Sequence, residues 1–315
     1  MSESSPDADG DSTTTDAPPA PDGGAVAEGV ASEAGEVVRS RNSLAGDVWS
    51  NFKRWNLKAV RNPFVLVVSL VQPIIFLILF TQIFGGVATS AINQGGAGIS
   101  YETYLVPAIA IQVSLAAAAT SGVGLVNDIE SGMFEKVLVT PMSRVGVFVG
   151  KTAAEVLRIA VQILIILGLG VLLGAEIATG LAGALGIVVV GILFSLWFVS
   201  LSNALAVVTK DQESTIIGAN LLQFPLLFVS SAFLPLQALP GWVQTVAQFN
   251  PVTYGVDAAR AIILGRDVMT VVEVTAFGGL WDSVVPGVAV LVALDLVLGA
   301  VAIGLLRRAT SSDVQ

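Results

Sequence analysis

The chain has 315 residues, 54% hydrophobic and 12% charged, with a mean hydropathy of +0.81. A soluble domain carries about 25% charged residues, so this composition excludes a water-soluble core and points to a polytopic membrane protein. Cysteine and histidine are both absent, which excludes a disulfide framework, thiolate or imidazole metal sites, and Cys- or His-based catalysis.

The net charge of −9 is confined to the N-terminal tail. Residues 1–38 hold nine acidic and no basic residues, and the rest of the chain carries fifteen of each sign. Residues 1–42, rich in Ser, Thr, Asp, Pro and Gly, read as a disordered acidic cytoplasmic tail, because they have too few apolar groups to offset their ordering entropy. They lack the basic start and apolar core of a signal peptide.

Residues 43–61 predict an amphipathic helix. Leu44, Val48, Phe52, Trp55 and Ala59 recur at helical spacing, with Lys53, Arg54, Lys58 and Arg61 on much of the remaining surface. Aromatic and basic residues together suit a helix lying in the headgroup plane, against membrane lipid. A plain solvated helix is the alternative. Asn62-Pro63 ends it.

Six apolar segments follow, near 64–84, 104–126, 153–175, 184–208, 215–234 and 284–306. Each is close to the ~20 residues that cross a bilayer. The third and fourth are joined by a short turn around 176–183. The expected fold is all-α, with a six-span membrane domain over 43–308 and a short tail over 309–315. Thirteen of the fifteen basic residues lie on one side of this arrangement, which predicts both termini in the cytoplasm. Only Arg260 and Arg266 fall on the other side.

The polar stretch 127–151 is then a cytoplasmic loop. Ile129, Met133 and Val137 mark one apolar face of a short helix over 128–138, with Asp128, Glu130, Glu135 and Lys136 elsewhere. Thr140-Pro141 suits a helix restart, Thr as N-cap and Pro in the first turn. Gly146, Gly150 and Ala154 share one helix face, which permits close helix approach. An ordinary solvated connector is the alternative. Gly150-Lys151-Thr152 invites a P-loop reading, but Val145 stands where the first glycine is required, and the segment opens a membrane helix. No catalytic, cofactor-binding or metal-ligating set is expected, and no nucleic-acid partner.

The 235–283 segment is a long outer loop punctuated by Pro235, Pro240 and Pro251. Its apolar runs are too short to span, and with Trp242 and Tyr254 they predict re-entrant or surface helices, either a lid over an exit or an inert cap. Asp295 lies mid-span. An ionised carboxylate there faces protein or water, as path lining, subunit contact, proton relay or a carboxyl satisfied by its neighbour. Glu155 and Arg158 are spaced to pair. Gln72, Gln112, Gln162, Asn203, Asn220 and Gln223 are intramembrane amides suited to linking helices.

Two stretches carry a family resemblance. Glu130, Gly132, Glu135, Thr140-Pro141, Ser143-Arg144 and Gly150-Lys151 resemble the cytoplasmic segment of type-2 ABC export permeases. Phe233-Leu234-Pro235, Leu239-Pro240-Gly241-Trp242, Asn250-Pro251 and Asp257-Ala258-Ala259-Arg260 resemble the same family's outer loop. The likeness covers about 44–308, and its nearest branch is the drug and lipo-oligosaccharide exporters. Met133 and Phe134 replace the usual Thr and Leu. The resemblance implies a permease subunit with no bound cofactor, working with a separate ABC ATPase that holds ATP-Mg. Two ATPase copies and a second permease copy, identical or homologous, would complete the transporter. It implies an ATPase-coupling surface from Asp128, Glu130, Gly132, Phe134, Glu135, Pro141 and Arg144. It also implies an interfacial helix carrying Phe52, Lys53, Arg54, Trp55 and Lys58. The outer loop would use Pro240, Trp242, Asn250, Pro251, Asp257 and Arg260. The cargo class is a drug, lipid or glycolipid. A proton-coupled exporter built on Asp295, with no ATPase, and a membrane scaffold without transport are the competing readings.

Overall fold

The computed structural model describes residues 44–93, 98–132, 144–271 and 274–312. All of these belong to one unit, Asn42–Gln315. Its helices are α1 (Leu44–Arg61), α2 (Pro63–Asn93), α3 (Tyr101–Glu130), α4 (Arg144–Leu172) and α5 (Gly180–Thr209). They continue with α6 (Gln212–Phe228), a 3-10 turn (Leu236–Ala238), α7 (Gly241–Ala247), α8 (Pro251–Leu264) and α9 (Trp281–Ser312). No strand occurs among the described residues. The protein is all-helical and polytopic, as its composition requires.

Local chemistry sets the boundaries. Ser100 caps α3 by accepting from the Thr103 amide. Lys210 adopts a left-handed conformation (φ 51°) after α5, and Asp211 caps α6 by accepting from the Ser214 amide, so two residues make the whole α5–α6 turn. That hydrogen bond holds the exposed Asp211 carboxyl below its usual range. Asn250 caps α8 with Pro251 behind it, and Gly265 (φ 67°) closes it.

α3 is the central post. It packs on α2, α4, α5, α6 and α8 and is buried along most of its length. Leu105, Ile109, Ile111 and Leu115 meet Ile163, Ile166, Phe194 and Phe198 in the core. α2 and α9 instead turn Val67, Val71, Ile75, Leu296, Val297 and Val301 outward. Apolar side chains in that position suit contact with lipid.

Five helices are long and apolar enough to cross a membrane: Leu66–Ser90, Tyr101–Glu130, Val149–Leu172, Gly180–Thr209 and Trp281–Ala302. The span expected at 215–234 differs. α6 has only 17 residues, about 26 Å of helix, and the chain leaves it at Val229. The end of the helix leaves the Leu226 and Val229 carbonyls without backbone partners, and Asn250 Nδ2 donates to both. The irregular stretch that follows has protein donors aimed at it, the condition under which non-helical backbone is tolerated at membrane depth.

The segment expected as an outer loop packs into the helical body through α8. α8 packs against α3, α5 and α9, with Val252, Val256, Ala258, Ala259 and Ile263 buried. Trp242 on α7 stays exposed.

Candidate functional site

Three groups of polar residues break the apolar interior. The first joins the N-terminal end of α3 to α8 and the backbone after α6. Asp257 and Arg260 are buried and paired at 3.4 Å. Arg260 Nη2 donates to the Ser231 and Ala232 carbonyls (3.0 and 3.3 Å), its Nε to Tyr104 O (3.2 Å), and its guanidinium stacks 3.6 Å from the Tyr104 ring. Asp257 accepts from Ser231 Oγ and from the Thr270 amide and hydroxyl. Burial pushes the Asp257 carboxyl up, while Arg260, Thr270 and Ser231 pull it back. Tyr101 OH donates to Phe233 O at 2.9 Å. The cluster therefore staples the irregular 229–234 backbone to α3 and α8. The sequence singled out Asn250, Pro251, Asp257 and Arg260; the structure brings them together, with Pro240 starting α7 at a distance in the chain.

The second group joins α1 to the C-terminal end of α3 and the N-terminal half of α4. A Cβ on Gly146 would lie 2.7 Å from Asp47 Cβ, and one on Gly150 would lie 2.6 Å from Val48 O. The glycine face seen in the sequence thus serves a close approach, and its partner is α1. This changes the expected amphipathic face. Leu44 and Ala59 are exposed, and short polar Asp47 and Asn51 are the buried residues, because the backbones come too close for bulky ones. Trp49, Leu57 and Val60 point outward. Trp55 sits among cations, with Lys58 Nζ 4.9 Å, Lys151 Nζ 5.6 Å and the Arg54 guanidinium 5.7 Å from its ring. Lys53 is exposed and Phe52 half-buried. Lys151 lies within α4, donates to Ser121 O and faces Glu155 at 3.8 Å. Glu155 also accepts from Ser121 Oγ at 2.9 Å. The expected Glu155–Arg158 pair is replaced by Lys151–Glu155, since Lys151 reaches Glu155 one turn away while Arg158 turns to α3.

Asp128 and Glu130 are in the last turn of α3 itself, which Ser131 and Gly132 (φ 64°) terminate. They continue the second span and do not begin a separate helix, because the α3 backbone ladder runs unbroken to Glu130. The remainder of the proposed coupling surface, with Phe134, Glu135 and Pro141, lies outside the described residues. Arg144 begins α4. Gln212 Nε2, at the start of α6, donates to Glu130 Oε2.

The third group lines a cleft of about 200 Å³ between α2, α3 and α6. α2 supplies Val68, Ser69 and Gln72; α3 supplies Ala116, Ala119, Thr120 and Val123; α6 supplies Ile216, Ala219, Asn220 and Gln223. Behind it, Gln162 Nε2 donates to Ser69 Oγ (2.6 Å) and Arg158 Nη2 to Thr120 Oγ1 (3.1 Å). Three of the amides noted in the sequence, Gln72, Asn220 and Gln223, converge here. Ser69, Thr120 and Gln212 were missed. Small hydroxyl residues in apolar helices give no periodic signal, and Gln212 acquires its meaning only from Glu130. Asp295 does not line the cleft. It is half-buried on α9, which packs on α5 and α8, and its Oδ1 is buried with no hydrogen-bond partner among the described residues.

Residues 46–264 match the family model described as ABC-2 type transporter. The chain is 27% identical to the daunorubicin resistance ABC transporter permease protein DrrB1 of Streptomyces coeruleorubidus, across 70% of this chain and 72% of that one. It is 26% identical to the probable doxorubicin resistance ABC transporter permease protein DrrC of Mycobacterium tuberculosis, across 69% and 75%. A match to the probable multidrug ABC transporter permease YbhR of Escherichia coli, 21% identical, covers 69% of this chain and 55% of that one. The chain therefore belongs to the ABC-2 type transporter family, whose permease subunits are multi-pass proteins of the cell membrane that work with an ABC ATPase.

Proposed function

We propose that this chain is the permease half of an exporter that moves a drug-like, lipid or glycolipid molecule out of the cytoplasm. Energy comes from ATP-Mg on a separate ATPase, and two permease and two ATPase copies make the assembly. The observation that carries this reading is the cleft between α2, α3 and α6. Amides and hydroxyls set among aliphatic side chains suit an amphipathic passenger, the usual character of a small-molecule site. One copy's cleft is small, and a second copy facing it would enlarge the chamber.

The coupling surface begins at Asp128 and Glu130 and continues through Glu135 to Arg144. α6 and the irregular backbone after it complete a sixth crossing, which keeps both termini in the cytoplasm. α1 then lies at the inner headgroup plane, with Trp49, Leu57 and Val60 in lipid and Lys53, Arg54 and Lys58 near the headgroups. The drug-resistance names of the relatives support the cargo class.

The test is co-purification of the permease with a co-expressed ABC ATPase from the same source, followed by substrate-stimulated ATP hydrolysis. Wild type should retain the ATPase, and Glu130→Arg or Glu135→Arg should weaken retention. A wild-type permease that retains no ATPase, yet exports until an uncoupler is added, would point to proton coupling instead.

A further inference from the structure

Among the described residues from Tyr101 to Val126 of α3, Thr120 alone is exposed, with Ala116 and Val123, partly exposed, one turn to either side on the same face. All three line the cleft between α2, α3 and α6. Thr120 is therefore the one polar side chain that this stretch of the central post exposes.

The hydrogen-bonding capacity of the Thr120 hydroxyl is already partly spent. Its Oγ1 donates to Ala117 O (2.8 Å) and accepts from Arg158 Nη2 (3.1 Å). On α2, Ser69 also lines the cleft; its Oγ donates to Leu66 O (2.7 Å) and accepts from Gln162 Nε2 (2.6 Å). The two hydroxyls are held alike. Each sends its proton to the carbonyl three residues earlier, and each has one lone pair filled by α4, from Arg158 and Gln162 one turn apart. A hydroxyl has one proton and two lone pairs. Thr120 and Ser69 are thus left with one lone pair each and can only accept. The amides of Gln72 and Asn220, in the same lining, both donate and accept. The lining holds no charged side chain, so an ion entering it loses hydration and gains no counter-charge. A cation is opposed further by the guanidinium behind Thr120.

We propose that this cleft selects a neutral, hydroxyl-rich headgroup, a sugar, carried on an apolar body. Its hydroxyls donate to Thr120 and Ser69 and accept from Gln72 and Asn220. Hydroxyls do both; an ammonium only donates, and an ether or ester only accepts. Arg158 and Gln162 touch no passenger and are positioning residues, which hold the two acceptors from behind. The inference rests on the cleft being the passenger's path and narrows the passenger to the glycolipid class.

The test uses the permease–ATPase complex in phosphatidylcholine nanodiscs, without ATP, and a dodecyl glucoside with a photoactivatable group in its chain. Irradiation should label α3 and α6 peptides that line the cleft; label confined to the lipid-facing peptides of α9 would overturn the proposal. Plain dodecyl glucoside should compete. Its fully O-methylated form, whose oxygens accept but cannot donate, should compete about tenfold more weakly, the worth of one or two hydrogen bonds. Equal competition by the two would overturn the proposal, and so would equal competition by dodecylammonium. Thr120→Val, which keeps the shape and removes the acceptor, should weaken the glucoside severalfold and leave the O-methylated form unchanged. Weakening of both alike would overturn the proposal, because loss of packing alone does that. Adding ATP to wild type should then deplete the label. Persistence would refute the path, while the preference for donors measured without ATP stood.

Discussion

Gln212 Nε2 donates to Glu130 Oε2, tying the last turn of α3 to the first turn of α6. These two helices form two of the three walls of the cleft. In the proposed transporter this contact couples the end of α3 to α6, beside the direct packing of the two helices. Gln212→Ala should leave ATPase retention intact and lower substrate-stimulated hydrolysis and export about fivefold, the effect of losing ~1 kcal/mol of coupling. Comparing retention with stimulation in one preparation checks it; equal stimulation in both proteins would remove Gln212 from the path.

The α1–α4 contact can be tested by cross-linking, because the chain has no cysteine of its own. A Cβ on Gly146 would lie 2.7 Å from Asp47 Cβ, near enough to the roughly 3.5–4.5 Å of a disulfide for a small shift to accommodate one. Asp47→Cys with Gly146→Cys should close on mild oxidation, seen as a mobility change on non-reducing gels. Adding Gly150→Val should suppress it, since the new side chain meets Val48 O and Asn51 Cβ.

Arg260→Met should destabilise the protein by about 3–5 kcal/mol, because it strands the buried Asp257 carboxylate and frees the Ser231 and Ala232 carbonyls. The double change Asp257→Asn with Arg260→Met should recover part of the loss. Thermal unfolding in detergent measures both, and a single variant as stable as wild type would deny the staple its role.

Topology is accessible to an impermeant maleimide. Thr245 on α7 and Ser131 after α3 are both exposed. Thr245→Cys should react on intact cells, and Ser131→Cys only after the membrane is opened. The reverse pattern would invert the orientation, and labelling of both from outside would break the even number of crossings.

Hydropathy and proline placement were enough to read the class, most of the crossings and the α4–α5 hairpin. A run of ~20 apolar residues has one favourable solvent whatever its neighbours are. The glycine face of Gly146, Gly150 and Ala154 was legible as a contact for the same reason: spacing alone puts those residues on one side of a helix. Its partner was not legible, since nothing in 44–61 advertises that Asp47 and Asn51, the polar residues, are the ones to be covered. The shortness of α6 was hidden too. Its apolar composition runs on past Phe228, and the helix stops because Asn250 and Arg260, more than twenty residues later, satisfy the backbone beyond it.

Composition thus determined by itself that this chain lives in a bilayer, and the periodicity of single segments determined where its helices run. Only the tertiary structure decided which charges are spent and which remain. Glu155 and Arg158 stand three residues apart with opposite signs, and local spacing pairs them. In the folded protein Lys151 and Ser121 take the carboxylate, and the guanidinium donates to Ala117 O and Thr120 Oγ1 on α3. Electrostatic pairing depends on distances between helices, and a single helix's sequence does not contain them.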